Sequence, residues 1–266
     1  IKDNLKTKEY LVLDIRNEDW FAYGHIKIAK NVKGTDLLNY FTKDIDPTTY
    51  EKITIVCYSG KSAAYSTSLL RMYGIDNVYS MKYGMSSWSD EFASSWKKNA
   101  TDTYADQLET TVNTMPEKGA YPAINTGKTD AGDILKARIE GAFAKPYSEF
   151  IVKADAYFET PADYFVAHYV NDEQYAAGHV PGAVQFAPQG SLASTANLSA
   201  LPADKKVLMQ CNSGQSAAYT VAYLHVLGYD VYNLAYGSNA LMNSTLVEKG
   251  WSGFNESEIK NYPVVE

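Results

Sequence analysis

Cys57 and Cys211 are the only cysteines in a chain of 266 residues, and both occupy the same kind of place. Residues 57–74 read CYSGKSAAYSTSLLRMYG, and residues 211–228 read CNSGQSAAYTVAYLHVLG. Each cysteine ends an apolar run and opens a tight loop around a glycine, after which the pattern turns helical. Backbone N–H groups of such a loop can converge on one point, and the helix start behind them adds partial positive charge. An anion is favoured at the centre of that nest. A cysteine sulfur held there ionises more readily, and the thiolate is the reactive form. The same nest could hold the terminal sulfur of a persulfide, Cys–S–S⁻. Lys61 is expected to add a full cation at the rim of the first loop, where the second loop carries neutral Gln215. The candidate catalytic residues are therefore Cys57 and Cys211. The candidate substrate-binding residues are Tyr58, Ser59, Gly60, Lys61 and Ser62 in one loop and Asn212, Ser213, Gly214, Gln215 and Ser216 in the other.

Counting removes other chemistries. A phosphate-binding Walker loop needs a glycine five positions before the Gly-Lys-Ser/Thr run. Those positions hold Ile55 before Gly60-Lys61-Ser62 and Pro122 before Gly127-Lys128-Thr129. A cysteine phosphatase needs an arginine six positions after its cysteine, as that family is known to, and here those positions hold Ala63 and Ala217. Four histidines and two cysteines with no close Cys/His pair give little support for a metal site. A Cys57–Cys211 disulfide is arithmetically open, but it would require two equivalent loops to face each other closely. A cysteine is also often just a small buried hydrophobe.

The elements that must hold these loops follow from an internal repeat. Laid over each other without a gap, the two stretches agree at nine of eighteen positions, and the same offset of 154 puts Gly24-His25 on Gly178-His179 and Asp14 on His168. A repeat this long is a duplicated domain, because solenoid units are much shorter. In the first copy, strands are expected at 10–15 and 53–57, and a short one after Asp76. Ser62 is expected to cap a helix that runs to about Tyr73 and stops at Gly74. The second copy repeats this with strands at 164–169 and 207–211, a helix after Ser216 and a stop at Gly228. Strands alternating with helices predict an α/β fold with a parallel-type central sheet flanked by helices in each copy. Each cysteine then stands at a strand's C-terminal end, where α/β sheets place ligands.

Boundaries are expected at 1–98 for the first domain, 99–146 for a long inter-domain linker and 147–266 for the second domain. The polar joint 97–146 contains three prolines and one possible helix, Ala131 to Phe143. A composition of 45% apolar and 21% charged residues is that of a globular protein, and a net charge of −7 argues against nucleic acid as a partner. No apolar run reaches the roughly 20 residues a membrane-spanning helix needs. The start at Ile1, the two sparing cysteines and the Tyr-, Asn-, Ala- and Thr-rich composition suit a processed periplasmic or cell-envelope protein, with the cytoplasm as the alternative.

These motifs together resemble the rhodanese (sulfurtransferase) family over nearly the whole of both copies. The six-residue loops CYSGKS and CNSGQS follow apolar strands. Upstream, LDIRNEDWFAYGHI looks like the family's Asp-x-Arg followed by Gly-His-Ile, and DEQYAAGHVPGAV is close to its Gly-His-Ile-Pro-Gly-Ala. The resemblance implies two-step sulfur transfer. Cys57 takes the sulfane sulfur of a thiosulfate-like anion, and the persulfide gives it to a thiol, to cyanide or to a protein sulfur acceptor. No cofactor and no metal is implied. Asp14 and Arg16 are then expected to form a structural ion pair, and His25 and His179 to hold turns.

The copies depart from the family pattern differently. The first keeps Asp14-Ile15-Arg16 and Lys61, whereas the second has His168-Tyr169-Val170 and Gln215. The first copy is therefore expected to be the active one. The competing reading is a sulfur- or anion-binding or redox-sensing module with little turnover. A third is a second domain that has lost its chemistry and serves as an interaction surface.

Overall fold

Runs such as YLVLD and KITIV are apolar at successive positions, so neither sheet face they form can meet water. In the computed structural model, which describes residues 1–4 and 9–266, these runs become β1 (Tyr10–Asp14) and β3 (Lys52–Val56). They pair in parallel from Tyr10↔Lys52 to Asp14↔Val56. With β2 (Ala29–Asn31) and β4 (Val78–Ser80) they make a four-stranded sheet of order β2-β1-β3-β4. Its flanking helices include α1 (Glu18–Tyr23), α2 (Lys61–Met72) and α3 (Ala131–Phe143). The third falls where the sequence placed it, and the Asp130 side chain caps it by accepting from Gly132 N–H and Asp133 N–H.

The second sheet is built the same way. Strands β5 (Ile151–Val152), β6 (Tyr164–His168), β7 (Val184–Gln185), β8 (Lys206–Gln210) and β9 (Val231–Leu234) run in parallel in the order β5-β9-β8-β6-β7. The β6–β8 register, Tyr164↔Lys206 to His168↔Gln210, reproduces that of β1–β3 at the repeat offset of 154. Helices α4 (Asp172–Ala177) and α5 (Gln215–Val226) match α1 and α2. The architecture is thus α/β, with two parallel sheets flanked by helices.

One compact unit comprises residues 1–96, 126–149 and 256–266, and the other comprises 97–125 and 150–255. Each is completed by a stretch outside its repeat core. In the first unit, Val265 makes an antiparallel bridge with His25; in the second, Glu109 makes the same bridge with His179. Leu13, Ile53, Ile55 and Leu69 form part of the first core, and Val207, Leu208, Val221 and Leu234 part of the second, all wholly buried. Among the described residues, no helix is long and apolar enough to cross a membrane.

Candidate active site

Strand β3 delivers Cys57 to the sheet's C-terminal end, and the loop after it is turned inside out by its neighbours. Met85 N–H donates to the Cys57 carbonyl at 2.8 Å, Ser86 N–H and Oγ donate to the Tyr58 carbonyl at 3.1 and 2.9 Å, and Trp96 Nε1 donates to the Ser59 carbonyl at 3.1 Å. With three successive carbonyls pinned outward, the N–H groups are left facing in. Gly60 N–H points at Cys57 Sγ at 3.2 Å and Ala63 N–H at 3.4 Å. Gly60 makes the turn possible with φ 86°, a left-handed conformation that glycine adopts without a side-chain penalty.

This corrects the expected cap. Ser62 does not start α2; the helix begins at Lys61, with Gly60 at the cap position and no side-chain cap bond. The second helix likewise starts at Gln215 behind Gly214, which has φ 73°, and not after Ser216. The helix N-terminus that a serine would have satisfied is aimed at the cysteine sulfur instead, as expected where an anion is meant to sit. Lys61 also differs from expectation. It is not at a solvent-facing rim but only 4% exposed, with its ammonium 5.1 Å from the centre of the Trp96 ring.

The second loop repeats the scaffold. Ser238 N–H donates to the Cys211 carbonyl at 2.8 Å, Asn239 N–H and Nδ2 donate to the Asn212 carbonyl, and Ala217 N–H points at Cys211 Sγ at 3.3 Å. Gln215 N–H approaches Ser213 Oγ at 3.4 Å, and Asn233 Nδ2 holds the Gly214 carbonyl at 2.8 Å. Burial pushes the Cys211 thiol up, against the opposing pull of N–H groups of Ala217, Ser213, Gly214 and Ser216. Both cysteines are free thiols and buried.

A pair of residues absent from the sequence expectations closes both loops. Tyr83-Gly84 and Tyr236-Gly237 stand at an offset of 153, one short of the main repeat, and all four have positive φ. A methyl at Gly84 would lie 2.2 Å from the Cys57 carbonyl oxygen, and one at Gly237 would lie 1.8 Å from that of Cys211. The backbone must come this close to pin the carbonyl, which only glycine allows. The duplicated Tyr-Gly dipeptide was the available signal, shifted by one residue out of register.

Behind the loops the copies diverge. In the first, Arg16 and Asp14 form a buried ion pair at 2.7 Å, and Arg16 also donates to the Gly24 carbonyl at 2.7 Å. In the second, His168 and Val170 replace them. His168 is wholly buried and lies 3.4 Å from Ser238 Oγ, and its Nδ1 has no hydrogen-bond partner among the described residues. His25 and His179 directly follow the glycines that end α1 and α4. Each ring stacks at 3.8 Å on the aromatic four residues earlier, Phe21 or Tyr175, and Nδ1 lies 2.9 Å from that residue's carbonyl. Among the described residues, no group of three or more His, Cys, Asp or Glu is arranged to hold a metal ion.

Burial, together with the nearby His179, pushes the His168 pKa down to about 3 from an ordinary 6.5. The unfolded chain therefore takes up a proton near pH 6.5 that the folded chain refuses until about pH 3, so the second unit loses stability as pH falls through that window. The full loss is on the order of a few kcal/mol. Hydrogen exchange of the β6 and β8 amides at about pH 7 and about pH 5 measures it. His168→Gln is expected to flatten the difference; an equally steep loss in that variant would assign the acid sensitivity to other groups.

A family profile described as "Rhodanese-like domain" matches residues 1–91 and 170–244, together well over half of the chain. Several solved structures are similar to this chain. A rhodanese-related protein from Thermoplasma volcanium is 23% identical, with 43% of this chain and 95% of that one covered at a TM-score of 0.31. A rhodanese-like domain protein from Staphylococcus aureus is 27% identical, with 32% and 79% covered at 0.27. A thiosulfate sulfurtransferase from Pseudomonas aeruginosa is 17% identical, with all of this chain and 44% of that one covered at 0.32.

Proposed function

The chain belongs to the rhodanese-like domain family, and on that premise we propose that it is a sulfurtransferase in which Cys57 carries sulfur as a persulfide. The carrying observation is the loop itself: its carbonyls are tied outward while Gly60 and Ala63 N–H groups face the Cys57 sulfur. Fixed donors aimed at a developing anion act without reorganisation when the charge arrives.

The reaction balances in two steps. The Cys57 thiolate attacks the outer sulfur of thiosulfate, the S–S bond of thiosulfate breaks, and sulfite leaves with the bond's electron pair. The resulting Cys57–S–S⁻ is attacked at its outer sulfur by an acceptor thiolate or cyanide, and Cys57 departs as the thiolate. This is covalent catalysis with two half-reactions. Lys61 lends positive charge from beneath the loop, not from a rim, and Tyr58, Ser59, Gly60 and Ser62 complete the wall.

The second unit fits a non-catalytic reading better. Its thiol is pushed up by burial, and Gln215 supplies no charge where the first copy has Lys61. We assign it sulfur or anion binding with little turnover. The proposed donor is a thiosulfate-like anion and the proposed acceptor a thiol, free or on a protein; the composition is compatible with the periplasm or cell envelope, with the cytoplasm as the alternative.

The test is a brief incubation of reduced protein with thiosulfate, followed by intact-mass and peptide mass spectrometry. One added sulfur on Cys57, removable by cyanide, is expected. Two bare cysteines would sink thiosulfate transfer as the activity.

A further inference from the structure

Four aromatic rings meet where α1 passes the Cys57 loop. Trp20 lies edge-on to Tyr58 at 5.0 Å and to Tyr23 at 5.7 Å. Phe92 closes the group, 6.0 Å from Tyr23 and 6.4 Å from Tyr58. Phe92 is buried, as a core ring should be. Trp20 and Tyr23 are 41% and 56% exposed, and Tyr58, next to the nucleophile, is half-buried.

The second copy shows which rings the fold needs. Phe21 becomes Tyr175 there, and both stack on the histidine of the Gly-His turn, so that aromatic is structural. Trp20, Tyr23 and Tyr58 become Gln174, Ala177 and Asn212, yet the same helix and the same loop form. Folding therefore does not require these three rings. A lone exposed aromatic is ordinary, but a contiguous set beside one of two matched cysteines is not explained by chain folding.

Carboxylates border the exposed side of these rings, whereas Arg16, 4.8 Å from the Phe92 ring centre, is buried and paired with Asp14. Asp19 is four residues before Tyr23 and so shares its helix face. Glu18 is exposed beside it, and exposed Glu91 directly precedes Phe92. Acidic residues open α4 as well, so the helix start alone explains them there; only in the first copy do they border exposed rings. Aromatic faces and carboxylates together attract a cation.

We propose that Trp20 and Tyr23, with Tyr58, form an acceptor-selecting lip that favours a small thiol bearing a positive charge. This rests on the sulfurtransferase reading above. It also meets a need of the second half-reaction, in which a thiolate approaches an anionic persulfide: a cation on the acceptor, seated on the lip, offsets that repulsion. The acceptor's S–S bond forms as the persulfide S–S bond breaks and Cys57 leaves as thiolate, with no outside oxidant or reductant.

The test separates the lip from turnover. Reduced protein is treated with cystamine, a cationic disulfide, and with 2-hydroxyethyl disulfide, its neutral counterpart, and modification of each cysteine is followed by peptide mass spectrometry. The protein thiolate attacks the disulfide, forms a mixed disulfide and releases one thiolate. The cationic-to-neutral rate ratio at Cys57 is expected to exceed that at Cys211 by roughly five- to thirty-fold. In Trp20→Gln/Tyr23→Ala, which installs the second copy's residues, it should fall to about the Cys211 value. Equal ratios in wild type and variant overturn the lip. In parallel, thiosulfate-loaded protein is discharged with cysteamine or 2-mercaptoethanol. Charge preference in exchange with no discharge to either thiol overturns the transferase reading and leaves the lip standing. Discharge without preference does the reverse. Selectivity for a lysine-rich cysteine peptide but not for cysteamine would overturn the small-acceptor assignment in favour of a protein acceptor.

Discussion

Cys57→Ser is expected to lower thiosulfate-to-cyanide sulfur transfer on the order of a thousandfold or more, while Cys211→Ser leaves most of it intact. The size follows from the chemistry. A hydroxyl has no sulfur to form the persulfide, so the covalent route is lost outright and not merely slowed. The asymmetry follows from the loops. Both scaffolds direct N–H groups at sulfur, but only the first has a lysine at the helix start, and burial pushes the Cys211 thiol up. Steady-state thiocyanate formation reads both variants. Because the serine is nearly the same size and shape in a buried site, unfolding does not account for the loss, and circular dichroism checks this. Equal losses in the two variants would mean that sulfur passes through both cysteines; full activity in Cys57→Ser would remove it from the mechanism.

The central strands of the two sheets were legible because they are short, apolar runs with a helix period after them, and because the chain states the pattern twice; β2, β5 and β7, only two or three residues long, were not. Strand ends moved by a residue, as at β1, read as 10–15 and observed as Tyr10–Asp14. The helix starts were misread for a physical reason. Ser62 is a good capping residue in isolation, but here the cap function passes to Gly60 so that the N–H groups can reach Cys57. Local propensity and the site compete, and the site wins, which is where such conflicts are expected. The burial of Lys61 under Trp96 was not legible at all, because the two are distant in sequence and the second copy has Gln215 in place of Lys61. The path of 97–149 was also hidden. Apart from α3 it has no period to read, and its hydrogen bonds go to partners far along the chain, as Glu109 does to His179.

Duplication supplies an internal control that a single domain lacks. What both copies keep, such as the carbonyl-pinning Gly84 and Gly237 and the stacked Phe21–His25 and Tyr175–His179 pairs, belongs to the scaffold. What only the first keeps is Lys61, the exposed rings and the Asp14–Arg16 pair. These lie in the unit that holds Cys57, and they support the proposal that the first copy carries the chemistry.

Asp14→Ala is expected to destabilise the first unit by about 3–5 kcal/mol, because it strands a buried guanidinium. The Arg16 side chain is 2% exposed and, among the described residues, would keep the Gly24 carbonyl as its hydrogen-bond partner and the face of the Phe92 ring, 4.8 Å away. Urea unfolding followed by tryptophan fluorescence reports this unit well, since Trp20, Trp88 and Trp96 belong to it and only Trp251 to the other. The double variant Asp14→His/Arg16→Val, which copies His168 and Val170, leaves no unpaired cation and is expected to unfold at higher urea than Asp14→Ala alone. If the single variant costs under about 1 kcal/mol, the stranded-charge argument fails. The double variant then asks what the pair is for. Arg16 joins the end of β1 to Gly24, the residue that ends α1, and α1 carries Trp20 to the Tyr58 ring. A double variant that folds well but loses cation preference at Cys57 would make Asp14–Arg16 a positioning pair for the lip. One that keeps the preference would confine the pair to stability.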